Sequence, residues 1–249
     1  MAHRDIFISD LHLGNGKGQE DSDSKALDRF AEEVLEPRDD LWVVGDLFEL
    51  LQCHADDILT AHMDWLRKVC QKVNVNILCG NHDSIELLRD TFLSKFLILH
   101  RVAFISPLET HFVIHRGDRY ILILHGHQYD AQISKHPMLA RFVAKLGGYG
   151  ENVWPNIDTL LTKFEAWLEE TGRHSRNEHY YPYLSALSRS IEPSHLCDAV
   201  IFGHTHKGEA KTYEGVNIIN IGSWVTASTG ERKHHFAILD RGDLTLQEM

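Results

Sequence analysis

The stretch Ile6-Phe-Ile-Ser-Asp-Leu-His-Leu-Gly14 runs from an apolar, β-branched segment straight into Asp, His and Gly, and the same transition recurs four more times along the 249 residues. Leu41-Trp-Val-Val-Gly-Asp-Leu-Phe-Glu49, Val75-Asn-Ile-Leu-Cys-Gly-Asn-His-Asp83, Tyr120-Ile-Leu-Ile-Leu-His-Gly-His127 and Ala199-Val-Ile-Phe-Gly-His-Thr-His206 repeat the pattern. Short apolar runs closed by Gly and polar residues read as strands covered on both faces. The predicted strands are 5–9, 41–44, 73–79, 120–124 and 199–202, each delivering polar side chains at its carboxyl end.

Between the first three strands lie two stripes at helical spacing, Leu27, Phe30, Ala31, Val34 and Leu35, then Ile58, Leu59, Met63, Leu66 and Val69. Strand, helix, strand, helix, strand implies parallel pairing with right-handed crossovers, and ligands in such sheets collect at the carboxyl ends of the strands. Beyond residue 110, the shorter runs 111–115, 120–124, 216–221 and 235–239 alternate between turn signals, which predicts a second, largely antiparallel sheet. Residues 131–195 interrupt it with helix-like sequence, including a helix at about 177–191 whose first turns Pro182 should disturb. Because this insertion joins two motif-bearing strand ends, it is expected to emerge beside the site as a lid. The whole chain, 1–249, reads as one domain.

Composition narrows the function. A formal charge of -11 argues against a nucleic-acid coat protein, yet an anionic substrate is compatible if bound cations supply local positive charge. Cys53, Cys70, Cys79 and Cys197 have no CxxC spacing and read as reduced core thiols of a cytoplasmic protein. The amino terminus leaves no room for a signal peptide, and no apolar run is long enough to span a bilayer.

At the first strand end, Asp10 and His12 are two apart, and period-two geometry places both on one side. Asp46 offers two carboxylate oxygens that can bridge cations; Asn81 offers a carbonyl oxygen, and His125, His204 and His206 offer imidazole nitrogens. Taken singly, each of these is an ordinary turn residue. Together they form a mixed oxygen and nitrogen set without thiolate, which suits two divalent ions, Mn²⁺ first, with Fe, Zn²⁺ or Co²⁺ as alternatives.

The ordered series Asp10-x-His12, Gly45-Asp46, Gly80-Asn81-His82-Asp83, His125 and Gly203-His204-x-His206 resembles the calcineurin-like metallophosphoesterase superfamily. The resemblance implies a four-layer α/β/β/α sandwich with a dinuclear centre. It implies that Asp10, His12, Asp46 and His206 hold one ion and that Asp46, Asn81, His125 and His204 hold the other. Two such ions generate a hydroxide nucleophile at neutral pH and orient phosphorus for in-line attack. His82 is then expected as general acid or transition-state stabiliser, with Asp83 orienting it or capping the helix near Ser84.

In plan the chain resembles the branch containing UDP-2,3-diacylglucosamine hydrolase, but it carries His82 where that branch has Arg and His127 where it has Asp. The expected activity is hydrolysis of a small phosphodiester, pyrophosphate or phosphomonoester. A UDP-diacylglucosamine pyrophosphatase, with peripheral membrane contact, is the alternative enzyme. A non-catalytic scaffold on the same fold is the alternative outside catalysis, and the intact ligand set weighs against it. In the insertion, Trp154, Trp167, Tyr180 and Tyr181 are candidates to stack on a base or sugar.

Overall fold

The computed structural model describes residues 4–14, 23–105, 111–129, 177–190, 197–225 and 233–249. Strands β1 (Arg4–Ile8), β2 (Asp40–Val44) and β3 (Asn74–Leu78) pair in parallel, and β4 (Ala103–Ile105) continues the sheet in the same sense. Their crossovers carry α1 (Ser24–Arg29), which runs into a π-turn over Phe30–Val34, and α2 (Ala55–Lys72). Two further helices, α3 (Ile85–Leu88) and α4 (Phe92–Leu99), follow β3. The alternating order of strand and amphipathic helix thus produces the parallel arrangement that its periodicity predicts.

The second sheet differs from expectation. It contains β5 (Phe112–Arg116), β6 (Arg119–Ile123), β7 (Ala199–Phe202), β8 (Glu209–Tyr213) and β9 (Val216–Asn220) in the order β5-β6-β7-β9-β8. β5 is antiparallel to β6 and β8 to β9, whereas β6, β7 and β9 are mutually parallel, so the sheet is mixed rather than largely antiparallel. The run at 235–239 belongs to the first sheet instead. It forms β10 (His235–Asp240), antiparallel to β1 and to β11 (Asp243–Glu248). Alternation within a short strand reports that one face is buried, not which neighbour supplies the hydrogen bonds.

Three apolar layers bind four structural ones. Ile6, Ile8, Val43 and Ile77 pack outward onto Phe30, Ile58, Leu66 and Val69 of the helices. On the opposite face, Phe7, Trp42, Val44 and Leu78 meet Ile121, Ile123, Ile201 and Ile219 between the sheets. Beyond the second sheet, Leu122, Val200 and Ile218 pack against Tyr180, Tyr181 and Leu184 of α5 (Asn177–Ser190). The result is the expected α/β/β/α order. Pro182 lies inside α5 without ending it, at the sixth position, where it gives up the hydrogen bond to the carbonyl of residue 178.

At the amino ends of the strands, the Arg116 guanidinium donates to both Asp5 oxygens (2.9 and 2.8 Å) and to Asp40 (3.0 Å), and Trp42 Nε1 donates to Asp5 (2.8 Å). This network ties the two sheets together at the end away from the motifs.

Candidate metal centre

All five motifs meet at the carboxyl ends of β1, β2, β3, β6 and β7. Asp10 and His12, however, lie beyond the end of β1 and do not alternate along a strand: their φ values are 54° and 45°. The backbone hydrogen bonds there run from Asp10 N to Gly45 O (3.1 Å) and from His12 N to Asp46 O (3.0 Å), pinning the loop to the β2 exit. Asp46, His204 and His206 are also left-handed, at 50°, 69° and 59°. Five of the seven ligand-type residues therefore adopt a conformation that costs an L-residue about 1–2 kcal/mol. Such strain collects where a side chain must be aimed rather than merely accommodated.

Asp10 is fully buried. Its Oδ2 accepts from Ser9 Oγ and from His204 N (2.9 Å), while its Oδ1 has no hydrogen-bond partner among the described residues and lies 3.2 Å from His206 Nε2. Burial disfavours its charge, but His125, His12 and His206 outweigh that and hold its carboxyl well below the usual range. Asp46, equally enclosed, is also held low: burial is opposed chiefly by His125 and His82. Its Oδ2 stands 3.0 Å from His125 Nε2 and 3.9 Å from His12 Nε2, between the two halves of the cluster.

The histidine tautomers follow from their partners. His125 Nδ1 meets the Val44 carbonyl at 2.9 Å, and a carbonyl only accepts, so Nδ1 carries the proton and Nε2 is left as the ligand atom. Burial lowers the His125 pKa, yet Asp46 and Asp10 together raise it to about 9. His12 is likewise raised, its burial overcome by Asp10 and Glu49. These buried carboxylates demand positive charge, which protons on the imidazoles supply when no other cation does.

The donor set fits metal ions on independent grounds. Asp10 Oδ1, His12 Nε2, Asn81 Oδ1 and His125 Nε2 are all buried polar atoms without a hydrogen-bond partner among the described residues. Leaving such atoms unpaired costs about 1–3 kcal/mol each. Three groups of ligand atoms lie within 4.8 Å of one another: Asp10, His12 and His206; Asp46, His125 and His204; and His12, Asp46 and His82. The first two are parts of the sets expected from the sequence: the first lacks Asp46, and the second lacks Asn81. The third brings His82, expected to be a non-ligand, within reach of the same centre.

Close approach explains two of the motif glycines. A Cβ on Gly80 would stand 2.6 Å from Asp46 N and closer still to Asp46 Oδ1; one on Gly203 would stand 2.8 Å from Ser9 Cβ and closer still to Asp10 Oδ2. Neither glycine has a positive φ, so space rather than backbone freedom requires them.

Asp83 does not orient His82. Its carboxylate accepts from the amides of Gly80 (2.7 Å), Leu47 (2.7 Å) and Phe48 (3.4 Å), bracing the loops after β2 and β3. Neither does it cap α3, whose preceding residue is Ser84. Burial and the neighbouring Asp46 push Asp83 up to about 6 against those amides. The partner of His82 is Glu49, at 2.7 Å from Nδ1, a residue that closes the GDLFE motif and to which the sequence reading gave no role. Only its place three residues after Asp46 hinted at the site.

His127 stands beside the second group, its ring 5.4 Å from that of His125 and 6.3 Å from that of His204. Its Nδ1 is buried and unpartnered among the described residues, and burial together with His125 pushes its pKa down to about 3. Tyr180 and Tyr181, candidates for stacking on a ligand, are instead packed against the second sheet, and Tyr181 donates to Glu209 (2.6 Å). α5 is accordingly a layer helix, not a lid. Trp154, Trp167 and the insertion at 131–176 and 191–195 lie outside the described residues. None of the four cysteines forms a disulfide, and no described helix is long and apolar enough to cross a membrane.

The family model for calcineurin-like phosphoesterases matches residues 4–208. UDP-2,3-diacylglucosamine hydrolase from Shewanella sp. (strain MR-4) is 24% identical over 234 residues, covering 89% of this chain and 90% of that protein. DNA double-strand break repair protein Mre11 from Nanoarchaeum equitans is 36% identical over 93 residues, 34% of this chain and 25% of that one. Among solved structures, an archaeal phosphodiesterase aligns over 99% of both chains at 18% identity, with a TM-score of 0.48.

Proposed function

We propose that this chain, which belongs to the calcineurin-like phosphoesterase family, holds two divalent cations at its strand ends and hydrolyses a small phosphodiester, pyrophosphate or phosphomonoester. The observation that carries the reading is that four ligand-type atoms at the strand ends, on Asp10, His12, Asn81 and His125, are buried without a hydrogen-bond partner among the described residues. Asp10, His12, Asp46 and His206 would hold the first ion, and Asp46, Asn81, His125 and His204 the second. The position of Asp46 Oδ2 between His125 and His12 supports a bridging role for it. When bound, such ions, Mn²⁺ first among those the donors suit, activate water and offset charge on the phosphoryl oxygens.

The chain's own groups supply the rest. His82, whose side chain is 20% exposed, can reach a substrate held at the centre. Burial opposes its charge, but Asp46 and Glu49 raise its pKa, which keeps a proton available for the leaving oxygen. His82→Ala is expected to slow turnover by about 10²–10⁴-fold. Retention of both ions in that variant supports the acid role, whereas loss of one would make His82 a ligand.

The full-length similarity to UDP-2,3-diacylglucosamine hydrolase favours a second reading, a UDP-linked lipid substrate. One experiment separates the two: metal analysis, then assay with Mn²⁺ of an aryl phosphomonoester, an aryl phosphodiester, cyclic nucleotides, a UDP-sugar and UDP-diacylglucosamine. Turnover confined to the last supports the lipid reading. No bound metal and no turnover of any substrate would leave a non-catalytic scaffold.

A further inference from the structure

Both main-chain groups of Asp10 are engaged, which is what a left-handed backbone at a non-glycine residue requires. Its N–H donates to Gly45 O (3.1 Å), and its carbonyl accepts twice, from Trp224 N (3.0 Å) and from Ser223 Oγ (3.1 Å). Val225 N donates to the same Ser223 Oγ (3.1 Å); an amide N–H cannot accept, so the hydroxyl hydrogen is left for Asp10. The turn after β9 therefore backs the ligand loop, although neither Ser223 nor Trp224 belongs to the five motifs.

That turn is held in its own place by His234, a 3% exposed residue to which the chemistry of the centre gives no task. The backbone of His234 pairs with Met249 at both groups (3.4 and 2.8 Å) and so extends the ladder of β10 and β11. Its ring lies parallel to the fully buried Trp224 indole, 5.1 Å between centroids and 7° between planes, while Phe30 meets the indole edge to face at 4.9 Å. His234 Nδ1 stands 3.3 Å from Ser223 O, and a carbonyl only accepts, so Nδ1 carries the proton. Nε2 faces Asp23 Oδ2 at 3.6 Å. Asp23 caps α1 through Ala26 N (3.1 Å) and donates its own N–H to Trp224 O (3.0 Å). One imidazole thus ties the carboxyl-terminal hairpin to the 223–224 turn and faces the cap of α1.

We propose that His234 is a positioning residue: by stacking on Trp224 and donating to the Ser223 carbonyl, it holds the 223–224 turn against the backbone of Asp10 and thereby aims that carboxylate. Where ions are concerned, this rests on the metallophosphoesterase reading and deepens it. Groups directly behind a metal ligand typically contribute about 10–100-fold to metal affinity, and His234 acts through the turn, so about 10-fold is expected.

The test compares the full chain with His234→Ala, with His234→Asn, which keeps a donor near the Nδ1 position, and with His234→Phe, which keeps a stacked ring without the donor. Amide hydrogen exchange followed by NMR without metal should show the Trp224 N–H protected in the wild type and unprotected in His234→Ala, with the amides of β1 protected in both. Calorimetric titration with Mn²⁺ should show about a 10-fold loss in His234→Ala at the binding step that Asp10→Asn abolishes, and wild-type affinity at the other step. His234→Asn and His234→Phe should fall between wild type and alanine in both readouts, and they carry the comparison if His234→Ala does not fold. Arg116→Met, which loosens the opposite end of the strands, should leave both binding steps unchanged. Wild-type protection of Trp224 and wild-type Mn²⁺ affinity in His234→Ala would overturn the proposal. So would an equal loss at both steps that Arg116→Met reproduces, because His234 would then be a general stabiliser. If the wild type binds no Mn²⁺, the metallophosphoesterase reading fails separately, and the metal-free exchange data still decide whether His234 holds the turn on Asp10.

Discussion

Replacing Gly80 by alanine adds one methyl group to a strand-end loop and should cost far more than a methyl usually does. The new Cβ would stand 2.6 Å from Asp46 N and 2.7 Å from Asp46 Cγ. Comfortable contacts begin near 3.5 Å, so one of the two loops must retreat by about 1 Å. Part of the obstruction is backbone, which cannot rotate away. The carboxylate that must move also accepts from His82 N at 2.8 Å. Overpacking contributes about 1–3 kcal/mol and a lost hydrogen bond to a charged group about 1.5–3 kcal/mol, together about 3–5 kcal/mol. At about 2–4 °C per kcal/mol, Tm should fall by about 6–20 °C.

Turnover should fall further, by about 10²-fold, because Asp46 is displaced by about 1 Å from its place between the two ligand groups. Gly117→Ala is the control: φ is +58° there but nothing lies within 4 Å of the new Cβ, so only the left-handed penalty of about 1–2 kcal/mol applies. Thermal unfolding with chelator and with Mn²⁺, alongside steady-state kinetics on an aryl phosphate, measures both effects. A Gly80→Ala protein as stable as Gly117→Ala, with wild-type turnover, would refute the close-approach reasoning.

Arg116→Met should destabilise by about 2 kcal/mol in urea, since Asp5 keeps only Trp42 Nε1 while the guanidinium, 35% exposed, is already partly screened; an unchanged midpoint would show that the inter-sheet ion pair adds nothing. His127 has a folded pKa of about 3 against an unfolded value near 6.5, so the unfolded chain takes the proton first and stability is lost as pH falls from about 7 toward 3. Between pH 7 and 5.5 that loss is about 1 kcal/mol, and His127→Gln should show it missing from its denaturation profile; parallel profiles for the two proteins would contradict the assignment. Mn²⁺ at about 100 times its Kd should raise stability by about 2.7 kcal/mol, or Tm by about 5–10 °C, and Asp46→Asn should abolish both that shift and turnover. A full thermal response in Asp46→Asn would exclude a bridging role.

Much of the fold was legible because burial on both faces leaves an uninterrupted apolar run, and a half-buried helix leaves a stripe. Ile6 to Ile8, Leu41 to Val44 and Ile58 to Val69 carry those signatures plainly. The mixed second sheet was not legible, since β7 and β9 show the same local pattern whether a neighbour runs with or against them. For the same reason β10, read as part of that sheet, pairs with β1. At the site, Asp10, His12, Asp46, His125, His204 and His206 were named from residue type and position, and the folded chain gathers them into two groups, Asp10 with His12 and His206, and Asp46 with His125 and His204. Asp83 was misread because a carboxylate beside a histidine in sequence is a natural partner for it, yet the amides of residues 47, 48 and 80 surround it in space.

The amino-acid sequence by itself determined which atoms could bind cations and that strand ends would carry them, because ligand chemistry and strand periodicity are both local properties. Tertiary structure alone decided how those atoms are aimed. The left-handed turns at Asp10, His12, Asp46 and His204 persist because hydrogen bonds between separate loops over-determine them. Glu49 reaches His12 and His82 only once β1, β2 and β3 lie side by side. A hydrogen-bond partner is set by distance in space, and no local pattern encodes a contact between residues more than thirty positions apart.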